Sequence, residues 1–186
     1  MEFTESRVVT FIRALHWSRL RIVLAFLLFS LFVLQVTCTA SNVWLKQHDV
    51  HTQGIWKVCT QTKYGMKCSD YVVVPGYFTP IRVLMIISIF MNVFTWAYFV
   101  YMLRHKDNPA FIITILQATT GALIICGLGL FADKNIKVVS SSDMSFGWSY
   151  IVGWCTVYII GIVAILALFD GRKKKSPSSS RTSSFQ

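Results

Sequence analysis

A few residues in this chain could do chemistry. His48 and His51 flank Asp49 in an H-x-x-H spacing that could touch a metal ion. Zinc needs about four ligands in fixed geometry, and one short loop stretch offers at most three, so solvated loop residues are the simpler reading. Cys59 and Cys68 lie nine residues apart and could be oxidised to a bridge. Asn92 and Gln117 are carboxamides set in long apolar runs, where a polar side chain seeks a partner. A bond between the two and a bond from each to backbone are both open. Arg172, Lys173, Lys174 and Lys175 form a basic cluster that could hold anionic lipid. Phosphorylation of the following Ser176 and Ser178, Ser179 and Ser180 would weaken that contact. The simpler reading is a cluster that fixes topology. No intramembrane charge pair, Gly-rich phosphate loop or His/carboxylate cluster is evident. The sequence therefore predicts no catalytic residues, cofactor, metal or small-molecule substrate, and no enzyme.

The elements that must position these residues follow from composition. Of 186 residues, 54% are apolar and only 14% charged, against roughly 25% charged in a typical soluble domain. A chain this apolar has too little polar surface to cover itself in water, so lipid is the solvent to consider. Four blocks carry no charge: 22–40, 83–103, 110–132 and 146–169. Each is near the roughly 20 helical residues that cross a bilayer core. The first could be a signal peptide, but its apolar core exceeds the usual length of about 7–15 residues, so it reads as a span. The net charge of +10 could suggest nucleic acid. The basic residues instead edge the apolar blocks and fill the tail, with no interleaved aromatics on a polar face, which argues against a nucleic-acid partner.

With both ends in the cytosol, eleven Lys and Arg fall inside and seven outside, the sense of the positive-inside rule. The reading is a cytosolic arm (1–21), a first outer loop (41–82), an inner turn (104–109), a second outer loop (133–145) and a disordered basic, Ser-rich tail (170–186). The arm places Val8, Phe11, Ile12 and Leu15 at helical spacing. It is either an amphipathic helix on the inner leaflet or an extension of the first span. Cys38, Cys126 and Cys155 lie inside apolar blocks, whereas Cys59 and Cys68 face an oxidising compartment at a spacing that suits a cross-strand bridge. In the first outer loop, 54–60 and 71–74 have β-favouring residues around a turn at Tyr64-Gly65, which predicts a small antiparallel sheet. Pro75-Gly76 and Thr79-Pro80 break the chain before the second span.

Trp44, then Gly54-Ile55-Trp56, Cys59 and Cys68 resemble the claudin-fold signature of tryptophan, G-L-W, cysteine and cysteine. Arg82-Val83-Leu84-Met85-Ile86 is similar to the arginine-led entry of the second span in that superfamily. Phe146-Gly147-Trp148-Ser149-Tyr150-Ile151-Val152-Gly153-Trp154 and Ile115-Leu116-Gln117 are similar to the branch of peripheral myelin, epithelial membrane and lens fibre membrane proteins. The resemblance covers roughly residues 22–172. It implies an all-α membrane protein: a left-handed bundle of four transmembrane helices capped by a small antiparallel extracellular β-sheet. It also implies that Trp44 and Trp56 pack over the bridge and seat the sheet on the helices; headgroup-level aromatics are the alternative. Arg82 either ties loop carbonyls to the second helix or snorkels to headgroups.

The implied role is non-enzymatic: organising cell contacts or membrane partners at the plasma membrane, including cell junctions, through the stapled loop. The partners are lipid and other membrane proteins, by self-association or with a channel or receptor. An auxiliary channel subunit like the calcium-channel gamma proteins shares the loop grammar. A claudin-type paracellular pore ranks last, since no charge lines the spans.

Overall fold

The computed structural model describes the backbone of residues 2–47, 50–105, 110–141 and 144–174, and the side chains within 21–47, 50–102, 111–140 and 144–169. Four long helices dominate it: α1 (Glu2–Ala40), α2 (Phe78–His105), α3 (Ala110–Ser141) and α4 (Trp148–Lys174). Each contains an apolar stretch long enough to cross a membrane: Arg21–Ala40, Phe78–Met102, Phe111–Ser140 and Trp148–Phe169. Their exposed surface is as apolar as their buried one; Phe26, Phe90, Phe111 and Ile162 all face outward. That is the pattern lipid allows and water does not.

The helices pack as a ring, α1 on α2, α2 on α3, α3 on α4 and α4 on α1. Short connections make α2, α3 and α4 run in alternating directions. The longer α1–α2 connection folds into strands. Its strand Leu45–Gln47, just after α1, pairs with Met144–Phe146, just before α4, while Arg82 at the head of α2 bonds to Ile55. The end of α1, the start of α2, the end of α3 and the start of α4 therefore share one end of the bundle. Small residues permit the approach. A Cβ on Gly153 would lie 2.9 Å from Leu128 Cδ2 and 3.3 Å from Cys38 Sγ.

At that shared end sits a five-stranded antiparallel sheet of β1 (Leu45–Gln47), β2 (His51–Gln53), β3 (Lys57–Thr62), β4 (Gly65–Asp70) and β5 (Met144–Phe146), in the order β4-β3-β2-β1-β5. The expected second strand of the hairpin at 71–74 is instead Gly65–Asp70. Gly65 takes φ +115°, a conformation that favours glycine. The Thr62 hydroxyl donates to the Gly65 carbonyl at 2.7 Å, which closes a two-residue connection. Once that turn is set, the residues following it must pair with β3, although Met66-Lys67-Cys68-Ser69-Asp70 has modest strand propensity.

The second loop is also shorter than expected. α3 runs on to Ser141, past the charges at Asp133 and Lys134. Those charges mark where hydrocarbon ends, not where the backbone ladder ends, and 133–141 contains no Gly or Pro to break it. What remains makes β5, whose pairing Leu45↔Phe146 and Gln47↔Met144 joins the two loops in one sheet. α2 similarly starts at Phe78. Its Pro80 is tolerated because the first-turn N–H groups have no intrahelical partner. α1 is one helix through the amino-terminal arm, and α4 extends to Lys174, beyond the expected tail boundary at 170.

The stapled sheet as a candidate recognition site

The last carbonyls of a helix lack intrahelical donors, and at the end of α1 three are met. Ser41 N–H donates to the Thr37 carbonyl at 3.1 Å. The Trp44 indole N–H donates to the Cys38 carbonyl at 2.9 Å, and the Trp56 indole to the Thr39 carbonyl at 2.9 Å. The two signature tryptophans thus cap the first span. This is a more specific seat than a headgroup belt, and it explains why tryptophan is suited to it: only its N–H can donate from the end of so large an apolar body.

Trp44 is fully buried. Its ring meets Phe131 edge-on at 4.9 Å between centroids and lies 6.3 Å from Tyr150. Its backbone N–H donates to the Gln53 carbonyl at 2.9 Å, and its carbonyl accepts from Gly147 N–H at 2.8 Å. One residue therefore links α1, α3, α4 and the end of β2. The bridge lies on β3 and β4, two strands away from β1, so Trp44 seats the base of the sheet rather than covering the disulfide.

Arg82 ties loop to helix. Its Nε–H donates to the Ile55 carbonyl at 2.8 Å. Its guanidinium lies 4.9 Å from the Trp56 ring centroid and 5.9 Å from that of Phe78, within cation–π range. The Tyr71 hydroxyl donates to the Gly54 carbonyl at 2.6 Å, and burial pushes its pKa from 10.0 up to about 12. Tyr77, beside Asn135, is also raised by burial.

Two glycines allow these segments to touch. A Cβ on Gly54 would stand 2.6 Å from Asn42 Cα and 2.7 Å from the Ser41 carbonyl. One on Gly147 would stand 2.1 Å from the Val43 carbonyl oxygen. That same carbonyl accepts from the Ser149 hydroxyl. Gly147 and Tyr150 belong to the aromatic segment that the sequence marks by resemblance, but only the fold shows them against Trp44.

Cys59 and Cys68 form a disulfide across the β3–β4 pair. Outward from it the hairpin is polar and solvated. All six residues of β4 are exposed, Tyr64 stands fully exposed at the tip, and Lys57 pairs with Asp70 at 3.9 Å. Lys63 and Lys67 add charge.

Inside the bundle, Asn92 and Gln117 do meet, and two residues that the sequence reading missed join them. Gln117 Nε2 donates to Asn92 Oδ1 at 3.4 Å, Asn92 Nδ2 to Gln35 Oε1, Gln35 Nε2 to Ser88 Oγ, and Ser88 Oγ to the Met85 carbonyl at 2.8 Å. All four side chains are buried, and Gln117 Oε1 has no partner. Gln35 carried the same signal as the other two, an amide in an uncharged block.

Of the H-x-x-H stretch, His51 lies in β2 while His48 and Asp49 lie outside the described residues. Among the described residues no three His, Cys, Asp or Glu side chains gather as metal ligands. The side chains of Arg172, Lys173 and Lys174, and the whole of Lys175 and the tail after it, also lie outside the described residues.

The class is thereby defined: a multi-pass membrane protein whose four apolar helices carry a disulfide-stapled sheet at one end. The family model for the PMP-22/EMP/MP20/Claudin family matches residues 18–167, and the chain belongs to that family. The match groups claudins with the other three and does not separate the branches. Among curated proteins, none matches the chain.

Proposed function

We propose that the chain is a non-enzymatic organiser of membrane contacts that works through the β3–β4 hairpin outside the cell. The observation carrying this reading is that a hairpin with almost no buried surface is nonetheless held rigid by Cys59–Cys68. Of the twelve strand residues only Cys59 is buried, so the staple adds little to the core. It fixes the shape of an exposed surface, which matters when that surface is recognised.

The bridge favours an oxidising compartment, which supports a sheet outside the cell and both chain ends in the cytosol. The excess of Lys and Arg on the cytosolic side supports the same orientation. Lys57, Lys63 and Lys67 against Asp70 make the hairpin basic, so an acidic protein surface on the same or an apposed plasma membrane, at cell junctions among other contacts, is the matching partner.

The test is photo-crosslinking from Tyr64 in intact cells, followed by identification of the neighbours. Adducts to membrane proteins of the same or apposed cells are expected, and Lys63→Glu with Lys67→Glu should remove them. A channel subunit recovered in stoichiometric amount would move the reading to an auxiliary subunit. An uncrosslinked hairpin would end both.

A further inference from the structure

Tyr71 to Ile81 is an uncharged stretch at the head of α2, and it contains an apolar surface that neither the bundle nor the sheet covers. Val72 is 100% exposed, Val73 80% and Val74 42%. Both ends of the excursion are anchored at the base of the sheet. The Tyr71 hydroxyl bonds to Gly54, and its ring lies 5.1 Å from that of Phe78. Phe78 N–H donates to the Pro75 carbonyl at 2.9 Å. The chain therefore leaves and re-enters at the level of the first turn of a transmembrane helix, and the valines project from that level.

The level is that of the membrane interface. Arg82, one turn into α2, reaches toward the sheet at Ile55, and below it the outward residues Val83, Ile86, Ile87 and Phe90 face lipid. Trp148 is exposed at the head of α4, where aromatic residues concentrate at a membrane surface. The uncovered valine triplet thus lies just ahead of the first turn of α2, whose outward surface is apolar. It offers no charge or side-chain hydrogen bond to a protein partner, whereas the hairpin offers Lys63, Lys67 and Tyr64 toward its tip.

We propose that Val72, Val73 and Val74 insert into the headgroup–acyl boundary of the leaflet on the sheet side. There they form a lipid contact outside the four spans, one that holds the membrane-proximal edge of the sheet against the bilayer. Shallow burial of a short apolar segment is the same physics that seats interfacial helices. The proposal requires only that the helices span a bilayer, and it stands or falls separately from partner recognition by the hairpin.

The experiment uses the full chain with Cys126→Ala and Cys155→Ala, so that these exposed cysteines are not labelled. A nitroxide is attached at Val73→Cys and the protein is placed in phosphatidylcholine nanodiscs. Collision with oxygen, which concentrates in lipid, is compared with collision with a water-soluble nickel complex. Phe90→Cys serves as the lipid control and Tyr64→Cys as the water control. Val73 should behave as Phe90 does, with nickel collisions several-fold fewer than at Tyr64. Nickel access equal to that at Tyr64 would overturn the proposal in favour of a solvated loop. Protection from both reagents would overturn it in favour of a protein cover, such as a second copy. Val72→Cys repeats the measurement should the Val73 variant fold poorly.

Discussion

Gly147 and Gly54 set the distance at which the loops meet. With Gly147 as alanine, the new Cβ would stand 2.1 Å from the Val43 carbonyl, a backbone atom that cannot rotate aside. The substitution should cost about 3 kcal/mol or more, read as a lowered midpoint of thermal unfolding in micelles. Gly129→Ala in α3 meets nothing within 4 Å and should be neutral or stabilising by up to about 1 kcal/mol. Tyr71 gives a pH dependence. Its pKa is raised chiefly by burial, while Gln53 and Arg82 pull it the other way. The folded state keeps the proton longer than the unfolded one. The stabilisation is therefore fully present below pH 10 and is lost as pH rises from 10.0 toward about 12. Ultraviolet titration should show a tyrosinate step coincident with sheet loosening, and Tyr71→Phe should remove that step.

Among the elements, the amide chain through α1, α2 and α3 separates strong from weak links. Gln117 contributes one long bond and leaves an acceptor unmet. Gln117→Leu should therefore change stability by less than about 0.6 kcal/mol, the average for a polar contact between membrane helices. Gln35 bonds to both Asn92 and Ser88. Gln35→Leu breaks two bonds and orphans the buried Asn92 Nδ2 donor, while Ser88 keeps its bond to the Met85 carbonyl, and about 1–3 kcal/mol should be lost. Unfolding in mixed micelles would check the order of the two. The helices themselves were legible as uncharged blocks, because apolar length is a local property. Their ends were not. Charges at Arg82 and Asp133 mark the hydrocarbon boundary, while hydrogen bonds carry α2 back to Phe78 and α3 on to Ser141. β4 was missed for a related reason: its pairing comes from the turn at Gly65 and from Cys59 opposite Cys68, not from its own propensity.

For the whole molecule, bundle and hairpin should come apart under reduction. The bridge spans nine residues, and closing so short a loop is worth about 2–3 kcal/mol. Reduction, or Cys59→Ala with Cys68→Ala, should open Lys63 and Lys67 to trypsin while far-ultraviolet dichroism keeps its helical amplitude. Loss of helix signal in parallel would mean that the bundle depends on the staple. By itself, the sequence determined that the chain lives in lipid, crosses it four times and carries a bridged polar loop. Run length, charge placement and cysteine spacing are all readable within a few residues. Only the tertiary structure decided that β5 closes the sheet on β1, that Gly147 lies against Val43, and that Gln35 meets Asn92. These partners are separated by 57 or more positions along the chain. Their meeting depends on the register in which whole helices pack, which no local stretch of residues encodes.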